Sequence, residues 1–537
     1  MRRLGWLLLA ACSAGGADAE SGGTSTVGST GATLPATDVG PTTNVGPTTG
    51  GGEASTSGGS SSSSTDAPTS SGGAMCEGLV CAGACVDEKV DPLHCGMCGH
   101  ACPPAASCAG GSCVCDAGTL CGDACVDVNF DAAHCGGCDA PCAAGDPCVQ
   151  GACDATDVVH LLITGQSLSN GYGSAVVSAL QLHANLSFNT GVRAGAAGLT
   201  GFIPLVETWD GAHGETIASG MANLAGNLWV ADGFDARTFL VSAHGADGFN
   251  YSKVKKGTPA YTTGMAQVMA GQAVAAGLGQ SYEVRAMAVV HGESDHIDYP
   301  PEGNTGYAAN LLEWRADYEA DIQAMTGQTR PVRFFYCQVS SWTAYGSAHS
   351  EIPEQQRTVA RDNPDRFSLV TPKYFLAYTD GVHLTGEATL LLGEYYGKAL
   401  RRVYLDGEPW APLGPTGAMI INGSQVVVEF EVPAPPLVFD EVAVTNPGNY
   451  GFVFTDGSGM PPTISTVEIT GPTQVTVTLS GPPGPQARLL YAAVGQPGAP
   501  AGPTTGARGN LRDSDMTPSL AGAPLVNWAV HFELALN

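Results

Sequence analysis

Between residues 157 and 403 the chain repeats one alternation. Short apolar and β-branched runs, VVHLLIT (Val158 to Thr164), TFLVSA (Thr238 to Ala243), VRAMAVV (Val284 to Val290), VRFFYCQV (Val332 to Val339) and FSLVT (Phe367 to Thr371), each suit a strand buried on both faces. Helix-like stretches lie between them: TTGMAQVMAGQAVAAGLG, GYAANLLEWRADYEADIQAM and IPEQQRTVARDN, with LTGEATLLLGEYYGKALRRV after the last run. This order predicts βαβ crossovers and a three-layer α/β domain with a parallel sheet. From Tyr404 the texture changes. QVVVEFEVP, EVAVT, GFVFTD, TVEIT, QVTVTLS and ARLLYAA alternate between Pro- and Gly-rich turns, which predicts an antiparallel β-sandwich over residues 404–537.

The chain before residue 157 has no such periodicity. MRRLGWLLLAACSAGG places two arginines before a short apolar run that ends in small residues, the pattern of an export signal. The run is shorter than the roughly 20 apolar residues a spanning helix needs. LAAC (Leu9 to Cys12) resembles the lipobox of bacterial lipoproteins, which implies cleavage before Cys12 and a lipid on its thiol; residues 1–12 form the signal peptide and lipidated cysteine. Residues 13–74 are mostly Ser, Gly, Thr and Pro and carry too few apolar groups to fold, so they predict a disordered tether.

Cysteines crowd residues 75–153. Cys81, Cys85, Cys95, Cys98, Cys102, Cys108 and Cys113 recur at the same spacing as Cys121, Cys125, Cys135, Cys138, Cys142, Cys148 and Cys153, and Cys76 and Cys115 add an eighth to each copy. Modules of about 40 residues cannot bury a useful core and are usually stapled covalently. Cys95-x-x-Cys98 and its copy, beside His94 and His134, also have zinc-like spacing. Export to an oxidising compartment favours four disulfides per module, in a pairing that spacing does not assign. The repeats resemble cysteine-rich modules near the start of myxobacterial surface proteins.

Charge narrows the partners. Lys plus Arg number 22 against 50 for Asp plus Glu, a net charge of −28. Nucleic-acid binding requires a phosphate-neutralising stripe that this balance does not supply. Membrane association is expected through the lipid anchor alone. A neutral saccharide suits the charge better than an acidic one.

The chemistry begins at LLITGQSLSNGYG (Leu161 to Gly173), where Ser167 stands at the abrupt end of the first strand. In α/β folds polar groups at the carboxyl ends of strands face a shared crevice. A serine hydroxyl needs a neighbouring base, itself held by a carboxylate. Asp380 and His383 in TDGVHLTGEA can supply both from one turn. The pair of blocks resembles the SGNH hydrolases, which implies a flavodoxin-like three-layer domain. Gly165-Gln166-Ser167, joined with VVHGESD (Val289 to Asp295), is similar to the carbohydrate-esterase branch related to sialate O-acetylesterases and plant acetylesterases. That branch carries Gln-Gly-Glu-Ser-Asp; here Gly292, Glu293, Ser294 and Asp295 match and His291 stands in place of Gln.

The resemblance implies Ser167 as nucleophile, His383 as general base and then acid, and Asp380 as the group orienting the imidazole. Oxyanion donors can contribute roughly 3 to 4 kcal/mol each. Ser167 N–H is one candidate, and Gly245 or Gly248 in SAHGADGFN another. HGESD lacks the Asn of the general pattern, so His291 becomes the nearest polar substitute, with Gln166 and Glu293 as positioning or scaffold residues. His244 reads as a loop residue, Asp295 as a turn brace, and Trp342 equally as a sugar platform or as packing under a loop. His296 and Asp298 have no clean metal-ligand spacing, Cys337 reads as a buried thiol, and Gly171 and Gly173 make no dinucleotide fingerprint. No cofactor or metal is implied. The whole reads as a surface-anchored or secreted serine esterase acting on acylated carbohydrate; a non-catalytic glycan-binding protein and a lipase or thioesterase of the same superfamily are the alternatives.

Overall fold

The computed structural model describes residue 76 and residues 78–536, apart from 144–145, 150, 179–180, 299–305 and 405–406. Cys12, the signal peptide and the tether lie outside the described residues.

Eight buried residues in a row make β1 (Val158–Gly165) the middle of a seven-stranded sheet. The others are β2 (Leu186–Phe188), β3 (Phe202–Pro204), β4 (Thr238–Ala243), β5 (Tyr282–Val290), β6 (Arg333–Tyr336) and β7 (Phe367–Leu369). Their order is β3-β2-β4-β1-β5-β6-β7. The sheet is parallel except at one edge, where β3 runs antiparallel to β2 and so departs from the all-parallel expectation. At three residues each, β2 and β3 are too short to show a pattern of their own.

The strand period of two sorts side chains between layers. Val159, Leu161 and Ile163 join a core with α1 (Ile217–Ala231) and, at the chain's other end, α7 (Gly386–Tyr404). Leu162 faces the opposite layer, built from α3 (Pro259–Gly277), α5 (Tyr307–Thr326) and α6 (Ile352–Asp362). Two short helices, α2 (Tyr251–Val254) and α4 (Glu293–Ile297), sit beyond the ends of β4 and β5.

Helix α1 does not stand out in the sequence, and its packing explains why. It approaches α7 closely through glycines. A Cβ on Gly220 would lie 2.1 Å from Leu390 O, and one on Gly393 2.4 Å from Ile217 O. Thr216 caps α1 by accepting the Ala218 N–H at 3.1 Å while its hydroxyl donates to Glu207 Oε1 at 2.7 Å.

Each cysteine module closes with the same pairing. The bridges are Cys76–Cys85, Cys81–Cys98, Cys95–Cys108 and Cys102–Cys113, repeated as Cys115–Cys125, Cys121–Cys138, Cys135–Cys148 and Cys142–Cys153. The sulfurs of Cys95, Cys102 and Cys113 come within 4.8 Å of one another, but all three are committed to disulfides. Such bonds persist in oxidising compartments. No helix among the described residues is long and apolar enough to cross a membrane.

The carboxyl-terminal domain contains a four-stranded antiparallel sheet (Gly414–Ile421, Gln425–Glu431, Gln474–Leu479, Ile464–Gly471, in that spatial order) and a three-stranded one (Phe452–Thr455, Arg488–Tyr491, Phe532–Ala535). The EVAVT segment is not a strand. Asp440 Oδ1 accepts the N–H groups of Val442 and Ala443 at 3.1 and 2.9 Å, a local turn that outcompetes a sheet ladder.

Near the α1 cap, burial and the neighbouring Glu215 carboxylate push Glu207 up to about 8 from an ordinary 4.5. The folded chain therefore keeps a proton that the unfolded chain releases, and stability falls as pH rises from about 4.5 through about 8. We expect Glu207→Gln to raise Tm above wild type at pH 8.5 and to leave it unchanged near pH 5, read by calorimetry.

Candidate active site

The end of β1 is forced into a tight turn. Gly165 has φ +139°, and a Cβ there would lie 2.1 Å from Val290 O of β5. The chain then closes a 3-10 turn, Ser167–Asn170, in which Ser169 Oγ donates to Gln166 O at 2.7 Å. Asn170 Nδ2 ties this turn to the loop after β4, donating to Gly245 O and Asp247 Oδ1, both at 3.0 Å. Ser167 is thereby lifted off the sheet edge and into a cleft.

The second half of the site is a turn built by one carboxylate. Asp380 Oδ1 accepts the N–H groups of Val382 and His383 at 2.9 and 2.7 Å, and Oδ2 accepts from His383 Nδ1 at 2.7 Å. With Nδ1 donating, Nε2 is the acceptor, and it lies 2.8 Å from Ser167 Oγ. Burial pushes the Asp380 carboxyl up, but the His383 and Val382 N–H groups and the imidazole outweigh it and hold the group below its ordinary value. Tyr172 flanks the imidazole, ring centroids 4.7 Å apart.

These groups open into a cleft of about 620 Å³. Its lining includes Gln166, Tyr172, Asp247, Gly248, Lys253 and Tyr345 beside Ser167, Asp380 and His383. A larger cavity, about 880 Å³, is lined by α7, α6 and the sandwich and contains none of the three.

The remaining candidates separate by position. Gly248 lines the cleft with φ +68°. Gly245 does not line it: a Cβ there would lie 2.0 Å from Ser169 Oγ, so this glycine admits the serine turn. Gln166 lines the cleft while its Oε1 accepts the Ser294 N–H at 3.1 Å, which leaves the NH₂ group as its donor.

His291 is 1% exposed and lies outside the cleft lining. Its Nδ1 is 2.9 Å from Tyr307 Oη and its Nε2 3.0 Å from Phe249 O, so both ring nitrogens are engaged in the interior and neither faces the oxyanion position expected of it. Glu293 is fully buried and ion-paired to Lys373, Nζ to Oε1 2.6 Å, beneath the site instead of in it. His244 is likewise internal, 2.9 Å from Tyr318 Oη, and burial pushes it down to about 4. Asp295 braces the turn by accepting the Tyr251 N–H. Trp342 is fully buried against His531, ring centroids 4.9 Å apart, and so packs under a loop. Cys337 is a buried free thiol.

Sequence reasoning missed Tyr172, Asp247, Lys253 and Tyr345 as cleft residues. Tyr172 and Asp247 stood within stretches already singled out, whereas Lys253 on the four-residue α2 and Tyr345 at the end of a 3-10 turn carry no periodic or motif signal.

No family model matches the chain, and no curated protein matches it. Solved structures do. A protein from Arabidopsis thaliana is 17% identical, with 45% of this chain and 97% of that one covered and a TM-score of 0.33. Est24, a carbohydrate acetylesterase from Sinorhizobium meliloti, is 13% identical over 46% of this chain and 99% of that one, TM-score 0.27. NanS is 12% identical over 41% and 79%, TM-score 0.27. The α/β domain is a three-layer fold around a mostly parallel seven-stranded sheet, between a disulfide-rich region and an antiparallel β-sandwich.

The buried Lys373–Glu293 pair offers a direct test of what supports the site. Removing one partner from a buried pair strands a charge and typically costs about 3–5 kcal/mol, whereas replacing both with apolar groups is often neutral. We expect Lys373→Met alone to destabilise by that amount in urea denaturation, and Lys373→Met with Glu293→Leu to recover most of it.

Proposed function

We propose that this protein is a serine esterase that removes acetyl or another small acyl group from carbohydrate, exported and held at the cell surface through a lipid on Cys12. The observation that carries the reading is the continuous chain from Ser167 Oγ to His383 Nε2 at 2.8 Å and from His383 Nδ1 to Asp380 Oδ2 at 2.7 Å, opening on a cleft.

In this mechanism Ser167 Oγ attacks the ester carbonyl carbon as its proton passes to His383 Nε2. The imidazolium is stabilised by Asp380, which stays ionised. The negative charge on the carbonyl oxygen is met by Ser167 N–H, with Gly248 N–H and the Gln166 amide as the further donors on the cleft wall. His383 returns the proton to the sugar oxygen as the C–O bond breaks and the alcohol leaves. Water, deprotonated by His383, then attacks the acyl-serine, and the proton on His383 restores the Ser167 hydroxyl as the acid departs.

The cleft supports a neutral sugar over an acidic one. Asp247, Asp298 and Asp380 line it against one ammonium, Lys253, and Tyr172 and Tyr345 offer aromatic faces on which a sugar ring can stack. Carbohydrate as the leaving group also accords with the described activity of Est24 as a carbohydrate acetylesterase.

The test is acetate release from acetylated xylan and from p-nitrophenyl acetate. We expect Ser167→Ala and His383→Ala each to lower kcat/KM by about 10⁴-fold or more, and Asp380→Asn by about 10⁴-fold. Unchanged turnover in Ser167→Ala would remove Ser167 from the chemistry. Glycan binding without acyl release would favour a binding protein, and preference for long-chain esters a lipase.

A further inference from the structure

The turn that carries Asp380 and His383 does not rest on the α/β domain alone. Gly381, between them, has φ +86°, and a Cβ there would lie 2.5 Å from Pro500 Cβ and 2.8 Å from Pro500 Cα. Its backbone thus lies flat on a proline of the β-sandwich. The next residue fixes the register: Ala501 N–H donates to Gly381 O at 3.1 Å. Gly502 follows, with Leu376 O and Tyr378 Cδ2 each 3.9 Å from where its Cβ would stand, so the same segment also touches the chain leading into the turn.

The other cleft wall meets this segment too. Gly498 N–H donates to Thr343 O at 2.7 Å, and Gly495 N–H to Ala348 O at 2.9 Å. Thr343 belongs to the 3-10 turn Trp342–Tyr345, whose Tyr345 lines the cleft. Below, His531 of the sandwich lies 2.8 Å from Ser340 Oγ, which accepts the Lys373 N–H at 3.1 Å. The segment itself, GQPGAPAGP from Gly495 to Pro503, carries three prolines whose fixed φ restricts the ways it can yield.

We propose that the sandwich segment Gly495–Pro503 is a working part of the esterase site, with Pro500 and Ala501 as positioning residues that hold the Asp380–His383 turn in register with Ser167. This rests on the serine-esterase reading. The carboxyl-terminal domain is then no appendage: it supplies one side of the mould in which the triad is set. Hydrolytic competence then depends on residues more than 100 positions beyond the last triad member.

The test uses the full chain. Pro500→Gly removes the Cβ that faces Gly381, and Pro500→Ala keeps it. A misplacement of about 1 Å can cost on the order of 100-fold in rate. For p-nitrophenyl acetate we expect Pro500→Gly to lower kcat by about 10- to 100-fold with KM little changed, and Pro500→Ala to stay near wild type. The downfield proton resonance of the His383 Nδ1–H bond to Asp380 should shift or broaden in Pro500→Gly and remain in Pro500→Ala. Pro461→Gly, in a sandwich loop away from the cleft lining, should leave kcat unchanged.

Wild-type kcat and an undisturbed resonance in a folded Pro500→Gly would overturn the proposal while leaving the esterase reading intact. If Pro500→Gly does not fold, Pro500→Ser, which keeps a Cβ, decides: near-wild-type kcat supports the proposal, and a kcat loss equal to its loss of folded protein overturns it. Wild-type turnover that survives Ser167→Ala would instead sink the reading on which the proposal stands.

Discussion

A hydroxyl and an imidazole separated by 216 residues stand 2.8 Å apart, and this one hydrogen bond sets the demands on the rest of the molecule. Hydrogen bonds weaken steeply with small errors in distance and angle, so both donor and acceptor must be fixed from several sides. The serine is fixed by β1, the most deeply embedded strand, and by the Gly165 turn against β5. The imidazole sits on a loop closed by Thr379 N–H to His383 O at 2.8 Å and Thr385 N–H to Ala377 O at 3.0 Å. Further order comes from Asp380, which satisfies two backbone N–H groups and one ring nitrogen at once, and from the surfaces against which that turn is laid.

The α/β interior buries several polar groups in pairs. His160 lies between Tyr282 Oη at 2.6 Å and Ser242 Oγ at 2.8 Å; Gln338 exchanges hydrogen bonds with the backbone of His531; Lys373 meets Glu293. Such groups are costly to bury unless satisfied, and once satisfied they favour one arrangement over its near competitors. The seam between α/β domain and sandwich includes the Gln338–His531 pair, together with Tyr374 Oη donating to Ala529 O and Tyr395 Oη to Val526 O, each at 2.7 Å.

Much of the fold was legible because burial on both faces imposes an apolar run. That held for β1, β4, β5, β6 and β7 and for the amphipathic α6 and α7. It failed where the chain economises. Three-residue β2 and β3 leave no period to read, and α1 intersperses small residues and glycine, which meet α7 closely, among its large apolar side chains. EVAVT has the alternation of a strand, but Asp440 diverts its backbone into a turn. The site shows the same division. Ser167, Asp380 and His383 could be proposed together because their spacing and residue types are chemically particular, and the structure does bring them into one chain of hydrogen bonds. His291 and Gly245 could not be placed from sequence: a buried histidine with two internal partners and a glycine that makes room for Ser169 Oγ have the same letters as an oxyanion donor. Pro500 carried no signal at all, since its role exists only where two domains meet.

The disulfide pairing of the amino-terminal modules has a consequence for proteolysis. Within residues 76–113 the four bridged spans overlap end to end, and so do the four within residues 115–153. A single nick inside either span therefore leaves the two fragments covalently joined. Between residues 76 and 153 only the two peptide bonds flanking Val114 escape this protection, so one cut there parts the first module and all that precedes it from the second module and the α/β domain.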